Sequence, residues 1–159
     1  MSSILPFEVI TELRSADLNP HDMSLSLMYF HYKFISKELY AEMREVLLNC
    51  FKDAVEKQDR YPKYLTGLFI LIGSLNFKYL EENAKEFLEY VKLGVKSDDQ
   101  ETAEMAIMCF ENWELDLDSL DPPIDLISLI SPSNQSSWVA KYAESVMCES
   151  RVRTKFKSM

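Results

Sequence analysis

The side chains with most to offer chemically are carboxylates, and they are concentrated in one stretch. From Ser97 to Ala140 the chain has ten Asp and Glu residues and no Lys, Arg or His. The net charge of the whole is -9, so the remainder is close to neutral. Glu111 and Glu114 come nearest to an acid–base pair. Three-residue spacing on an acidic helix describes a solvated face better than a catalytic one. Asp116-Leu-Asp118-Ser-Leu-Asp121 superficially resembles a calcium loop. It lacks the glycine at the sharp turn and the glutamate at the twelfth position, and Pro122 interrupts it. What remains is electrostatic: a one-sided field that attracts a cationic partner. The candidate contact residues are Glu111, Glu114, Asp116, Asp118 and Asp121, with Asp98, Glu101 and Glu104 as outlying contributors.

Other chemistries find little material. His21 and His31 lie ten apart with no ligand set at metal spacing, so no metal site is expected. Three glycines, Gly67, Gly73 and Gly94, cannot build a phosphate loop, and no serine has a nucleophile-elbow setting. Cys50, Cys109 and Cys148 each fall in an apolar helical pattern and read as buried free thiols. These residues predict no enzyme and no cofactor. A pI near 4.7 argues against nucleic acid as partner. The basic segment Arg151, Arg153, Lys155, Lys157 reads as a tail that is disordered or docked on the body. The longest apolar run, near Leu68–Leu75, is too short to cross a bilayer, and no signal-type segment opens the chain, so a cytoplasmic protein is expected.

The elements that must position these acids are helices. Few glycines and prolines argue for long helices over turn-rich strands. Pro6, Phe7, Ile10 and Leu13 suggest a short helix within Ser2–Ser15. Asn19-Pro20 signals the start of a second, through Ile35. Lys37–Asp59 is a long amphipathic helix. Tyr64–Ile72 is almost wholly apolar and ends at Gly73, a C-terminal cap. Phe77–Val95 predicts one long amphipathic helix. Ser97 and Gln100 form a capping box for the next, whose apolar stripe is Ala103, Ala106, Ile107, Phe110 and Trp113. Asp121-Pro122-Pro123 starts a short helix over Ile124–Ile130, and Ser131-Pro132 precedes another at Trp138–Glu149.

A repeat runs through them. A shift of 37 carries Leu68-Phe-Ile-Leu-Ile-Gly onto Met105-Ala-Ile-Met-Cys-Phe, and Ala103 and Ala106 onto Ala140 and Ala143. Helix pairs are expected near residues 20–59, 61–95 and 98–131, with a closing helix at 134–149. Two helices per 35–45 residues describe an α-solenoid, against the alternative of a non-repetitive helical bundle.

Phe110-Glu-Asn-Trp-Glu, the acidic turn, a short Leu-rich helix and Ser137-Trp-Val-Ala-Lys-Tyr-Ala-Glu together resemble HEAT-like helical proteins encoded beside bacterial polymorphic toxins. These are immunity proteins, including those of contact-dependent growth inhibition systems. The resemblance covers roughly Ser97–Glu149. It implies an all-α fold, a short right-handed α-solenoid of HEAT-like antiparallel helix pairs. The domain would span residues 1–150, followed by a basic tail at 151–159. It further implies a non-catalytic module that binds and neutralises a toxin domain, and the acidic stretch points to a cationic one, a nuclease, bound through that surface. Trp113 and Trp138 would then pack at helix corners. The alternative is a general HEAT-like scaffold or adaptor for a protein or peptide.

Overall fold

The computed structural model describes residues 7–15 and 37–157, and among them the fold is all-helical, with no strand. The helix expected from Asn19-Pro20 to Ile35, with His21 and His31, lies outside the described residues. The α-helices are α1 (Phe7–Leu13), α2 (Lys37–Glu56), α3 (Pro62–Gly73), α4 (Ala84–Val95), α5 (Gln100–Trp113), α6 (Leu126–Leu129) and α7 (Trp138–Lys157).

Phe51, Phe69 and Phe87, one ring each from α2, α3 and α4, meet in the core. Burying each contributes about 1.5–3 kcal/mol. Tyr64 ties α1 to α3, its hydroxyl donating to the Leu13 carbonyl at 2.6 Å. Burial pushes that phenol well above its ordinary range, so it stays a neutral donor.

α3 and α5 lie side by side, parallel and in register. Lys63 pairs with Glu101 near the N-terminal ends, 38 residues apart. Thr66 and Thr102 share a buried hydroxyl bond of 2.8 Å across 36 residues. At the C-terminal ends Asn112 donates to the Gly73 carbonyl at 3.1 Å, across 39 residues. α5 packs in turn against α7, and α4 lies against α5 and α6.

Several sequence expectations are corrected. The helix expected over Phe77–Val95 is broken: Phe77–Asn83 is a 3-10 segment, kinked at Glu81, which takes φ 43°. The cause is Arg44 of α2, almost fully buried. Its guanidinium donates to the Tyr79 carbonyl at 3.0 Å and to Asn83 Oδ1 at 3.1 Å. That carbonyl is the one a continuous helix would give to the Asn83 amide. The cap of α5 is Asp99 rather than Ser97. Asp99 Oδ2 accepts from the Thr102 amide at 2.9 Å and its hydroxyl at 2.7 Å. A carboxylate is the stronger acceptor there and also meets the positive end of the helix dipole. Ser97 Oγ instead accepts from the Asp99 amide.

Asp121-Pro122-Pro123 starts no helix. The peptide between Asp121 and Pro122 is cis, and the expected helix over Ile124–Ile130 shrinks to the single turn of α6, capped by Asp125. Gly73 is the last residue of α3 rather than a left-handed cap, which Ser74 replaces with ordinary helical geometry. α7 runs past Glu149 to Lys157, so residues 151–157 are its last two turns. Cys50 and Cys109 are buried as expected, but Cys148 is exposed on α7.

Candidate partner-binding face

Phe110-Glu-Asn-Trp-Glu folds as a corner, each residue with its own task. Phe110 is buried. Asn112 and Trp113 satisfy carbonyls left open at the end of α3: Trp113 Nε1 donates to Leu75 O at 3.0 Å. Glu111 faces α7 instead, and Glu114 ends the helix. Glu111 accepts from the Tyr142 hydroxyl at 3.0 Å, and Glu114 is exposed. Glu114 caps α5 in the left-handed conformation, φ 52° and ψ 41°. Glycine is the common residue there, and a side chain costs about 1–2 kcal/mol.

The eight candidate acids do not form one cluster. α5 is 14 residues long, so its ends are roughly 21 Å apart. At the N-terminal end Asp98 accepts from Ser131 and from Ser133, the latter at 2.9 Å, and these bonds hold its carboxyl below the ordinary range. Glu101 is beside it, paired with Lys63. Along the helix face lie Glu104 and Glu111. Burial and then the charge of Glu101 raise the Glu104 carboxyl. Burial and then Glu111 push the Tyr142 phenol far up. At the C-terminal end come Glu114, Asp116, Asp118 and Asp121. Asp116 is held below the ordinary range by the Ser119 hydroxyl, at 2.6 Å.

A stretch without bases in sequence does not make a surface without bases. The last turns of α7 fold back on the acidic turn. Ser150 Oγ donates to the Leu115 carbonyl at 2.9 Å and accepts from the Leu117 amide at 3.2 Å. That places Arg151 Nε 3.0 Å from Asp118, and sets Arg153 and Lys157 across a cleft of about 360 Å³ from Glu114 and Asp116. Among the described residues, Glu101 and Asp118 are the two of the eight that pair with a base. No local pattern in the sequence could have revealed this, because the contact spans 33 residues.

Two further features were missed. Trp138 does not pack as a corner: it is 47% exposed, its ring stacked on Tyr142. An apolar cleft of about 590 Å³ runs beside α4, floored by Phe77, Leu88, Leu120 and Ile124 and edged by Lys85 and Asp121. Among the described residues no group of His, Cys, Asp or Glu is arranged to hold a metal ion, and no helix is long and apolar enough to cross a membrane.

Comparison of the chain with protein-family models, with curated proteins and with solved structures finds no match.

Proposed function

We propose that this chain is a non-catalytic protein-binding module, an immunity protein that neutralises a cationic toxin domain, a nuclease, through the acids of α5 and the turn after it. The observation that carries the proposal is the placement of Glu111 and Glu114. Both sit at the negative end of the α5 dipole, where an acid is unfavourable. Glu114 adds the strain of a left-handed backbone. Neither pairs with a base among the described residues. Solubility alone needs no acid at such positions. A basic active-site surface would relieve the repulsion and be steered toward it.

The architecture we propose with it is the short right-handed α-solenoid of HEAT-like pairs. It is supported by the parallel stacking of α3 on α5, and by hydrogen bonds across nearly constant separations of 36, 38 and 39 residues. One observation favours a second reading, a scaffold for a peptide or helix: the apolar cleft beside α4 has the size of a ligand groove.

The test is a triple reversal, Glu114→Lys with Asp116→Lys and Asp118→Lys, in the chain co-expressed with a cationic nuclease toxin against which the wild type protects. The helical content should hold while association slows and protection is lost. Salt should weaken the wild-type complex mainly through its on-rate. Full protection and an unchanged salt response in the variant would refute the assignment.

A further inference from the structure

α3 and α5 run parallel, so their C-terminal ends come together at one end of the fold. Between those ends is an open cleft of about 640 Å³, and Ser74, Asn76, Phe77, Asn112, Trp113 and Glu114 line it. Its size is that of a ligand site. Its walls share one electrostatic sign. The negative ends of two helix dipoles meet there, each equivalent to about half an elementary charge. Glu114 adds a full charge, and no Lys or Arg lines the cleft. Three side-chain donors around it are already spent. Ser74 Oγ donates to the Ile70 carbonyl at 2.9 Å, Asn112 Nδ2 to Gly73 at 3.1 Å and Trp113 Nε1 to Leu75 at 3.0 Å. What these residues leave over is acceptors: the Glu114 carboxylate, Asn112 Oδ1 and the lone pairs of Ser74 Oγ. The neighbouring bases are engaged elsewhere. Lys78 lies over the Tyr79 ring, 5.1 Å from its centre, and Arg153 and Lys157 line the separate cleft beside Asp116. Glu114 borders that cleft too, yet among the described residues it forms an ion pair with neither base. One wall is aromatic: Phe77 packs on Trp113 with ring centres 5.2 Å apart.

We infer that this cleft takes an arginine side chain of a basic protein partner. The inference rests on reading the chain as a binder of such a partner, and it names the group recognised. A guanidinium suits these walls. It is planar, with five donors in a fixed fork, so it can lie against the aromatic wall while bonding in its own plane to the carboxylate and the amide oxygen. An ammonium is a compact charge that holds its water more tightly and cannot stack. An acid at the negative end of a helix is repelled there, and a bound cation relieves that repulsion. The cleft is also larger than one guanidinium. The remaining room accommodates backbone on either side of it, which favours an arginine within a chain over a free cation.

The experiment is a titration of the isotope-labelled chain, followed by NMR at the Trp113 indole and the Asn112 side-chain amide, with the Trp138 indole as internal control. The probes are the capped tripeptide Ala-Arg-Ala, its lysine and citrulline counterparts, and methylguanidinium. The arginine peptide should shift both signals saturably and leave Trp138 in place. The lysine peptide should bind more weakly, and the citrulline peptide, which keeps the shape without the charge, should have no effect. Glu114→Gln keeps the size of the side chain and should weaken the arginine peptide by about threefold or more, as expected for loss of one exposed charge pair. Absence of a saturable shift would overturn the inference. So would an equal response to citrulline or to lysine, or a Glu114→Gln variant that binds like the wild type. Methylguanidinium binding as tightly as the peptide would replace the partner's arginine by a free cation. The titration contains no toxin, so its failure is distinct from failure of the immunity reading, which the protection assay decides.

Discussion

Gly94 is buried in α4 at the point where α3 and α5 cross it. A Cβ built on it would lie 2.3 and 2.4 Å from two ring atoms of Phe69 and 2.8 Å from the Ala106 methyl. Carbon atoms in contact sit near 3.5–4.0 Å, so the overlap with the ring exceeds about 1 Å. The ring has nowhere to go: Phe69 is fully buried and packed on Phe51 at 5.5 Å. Overpacking of this kind costs about 1–3 kcal/mol, and three simultaneous overlaps put Gly94→Ala at the top of that range. The gain in helix propensity returns about 1 kcal/mol. The expected net loss is about 2 kcal/mol, which for a chain of this length lowers Tm by roughly 4–8 °C. Gly73→Ala is the control. Its Cβ meets Cys109 Sγ at 3.2 Å and the tip of Met108 at 3.3 Å, and Met108 is flexible enough to yield. That variant should stay within about 1 kcal/mol of wild type. Thermal denaturation followed by circular dichroism reads both. A Gly94→Ala protein as stable as wild type would refute the three-helix crossing. Adding Phe69→Leu should recover part of the loss, because the two sites share one space.

Asp99→Ala should cost about 1 kcal/mol through loss of the α5 cap. Burial alone would raise the Asp99 carboxyl, but the Thr102 bonds and Lys63 outweigh it and the net shift is downward. Its contribution is therefore present above the ordinary carboxylate range and lost as pH falls through the lowered value, so urea titrations of variant and wild type should converge in acid. Glu104→Gln should stabilise the protein at neutral pH, because the fold disfavours that charge. The sign is opposite to that for Asp99: wild-type stability recovers as pH falls through the raised Glu104 value, and the advantage of the variant fades there. A thiol reagent should label Cys148 at once in the native protein and reach Cys50 and Cys109 only on unfolding. Burial raises both of the latter thiols and keeps them protonated.

The sequence by itself determined the body of the longer described helices, because that depends on neighbours three and four residues apart. Ala103, Ala106, Ile107, Phe110 and Trp113 made α5 legible, and all five are buried. The 37-residue shift relates segments of α3 and α5, two helices that lie side by side. Tertiary structure decided where helices break and which charges survive. Phe77–Val95 has a helical period throughout, yet one buried guanidinium, Arg44, takes the Tyr79 carbonyl and ends the first part. Ser97 is the cap expected from sequence, and the Asp99–Thr102–Thr66 chain of bonds, which needs α3 in place, gives the role to Asp99. The acids of the candidate face show most clearly what a linear pattern lacks. Spacing placed Glu101 and Glu114 on one stretch, while helix length holds them roughly 20 Å apart. The bases at 151–157 are far from the acidic turn in sequence. Ser150 anchors α7 to both Leu115 and Leu117, and that long-range pair of hydrogen bonds puts Arg151 on Asp118, while Glu111 meets the Tyr142 hydroxyl and Glu114 stays exposed with no base paired to it among the described residues.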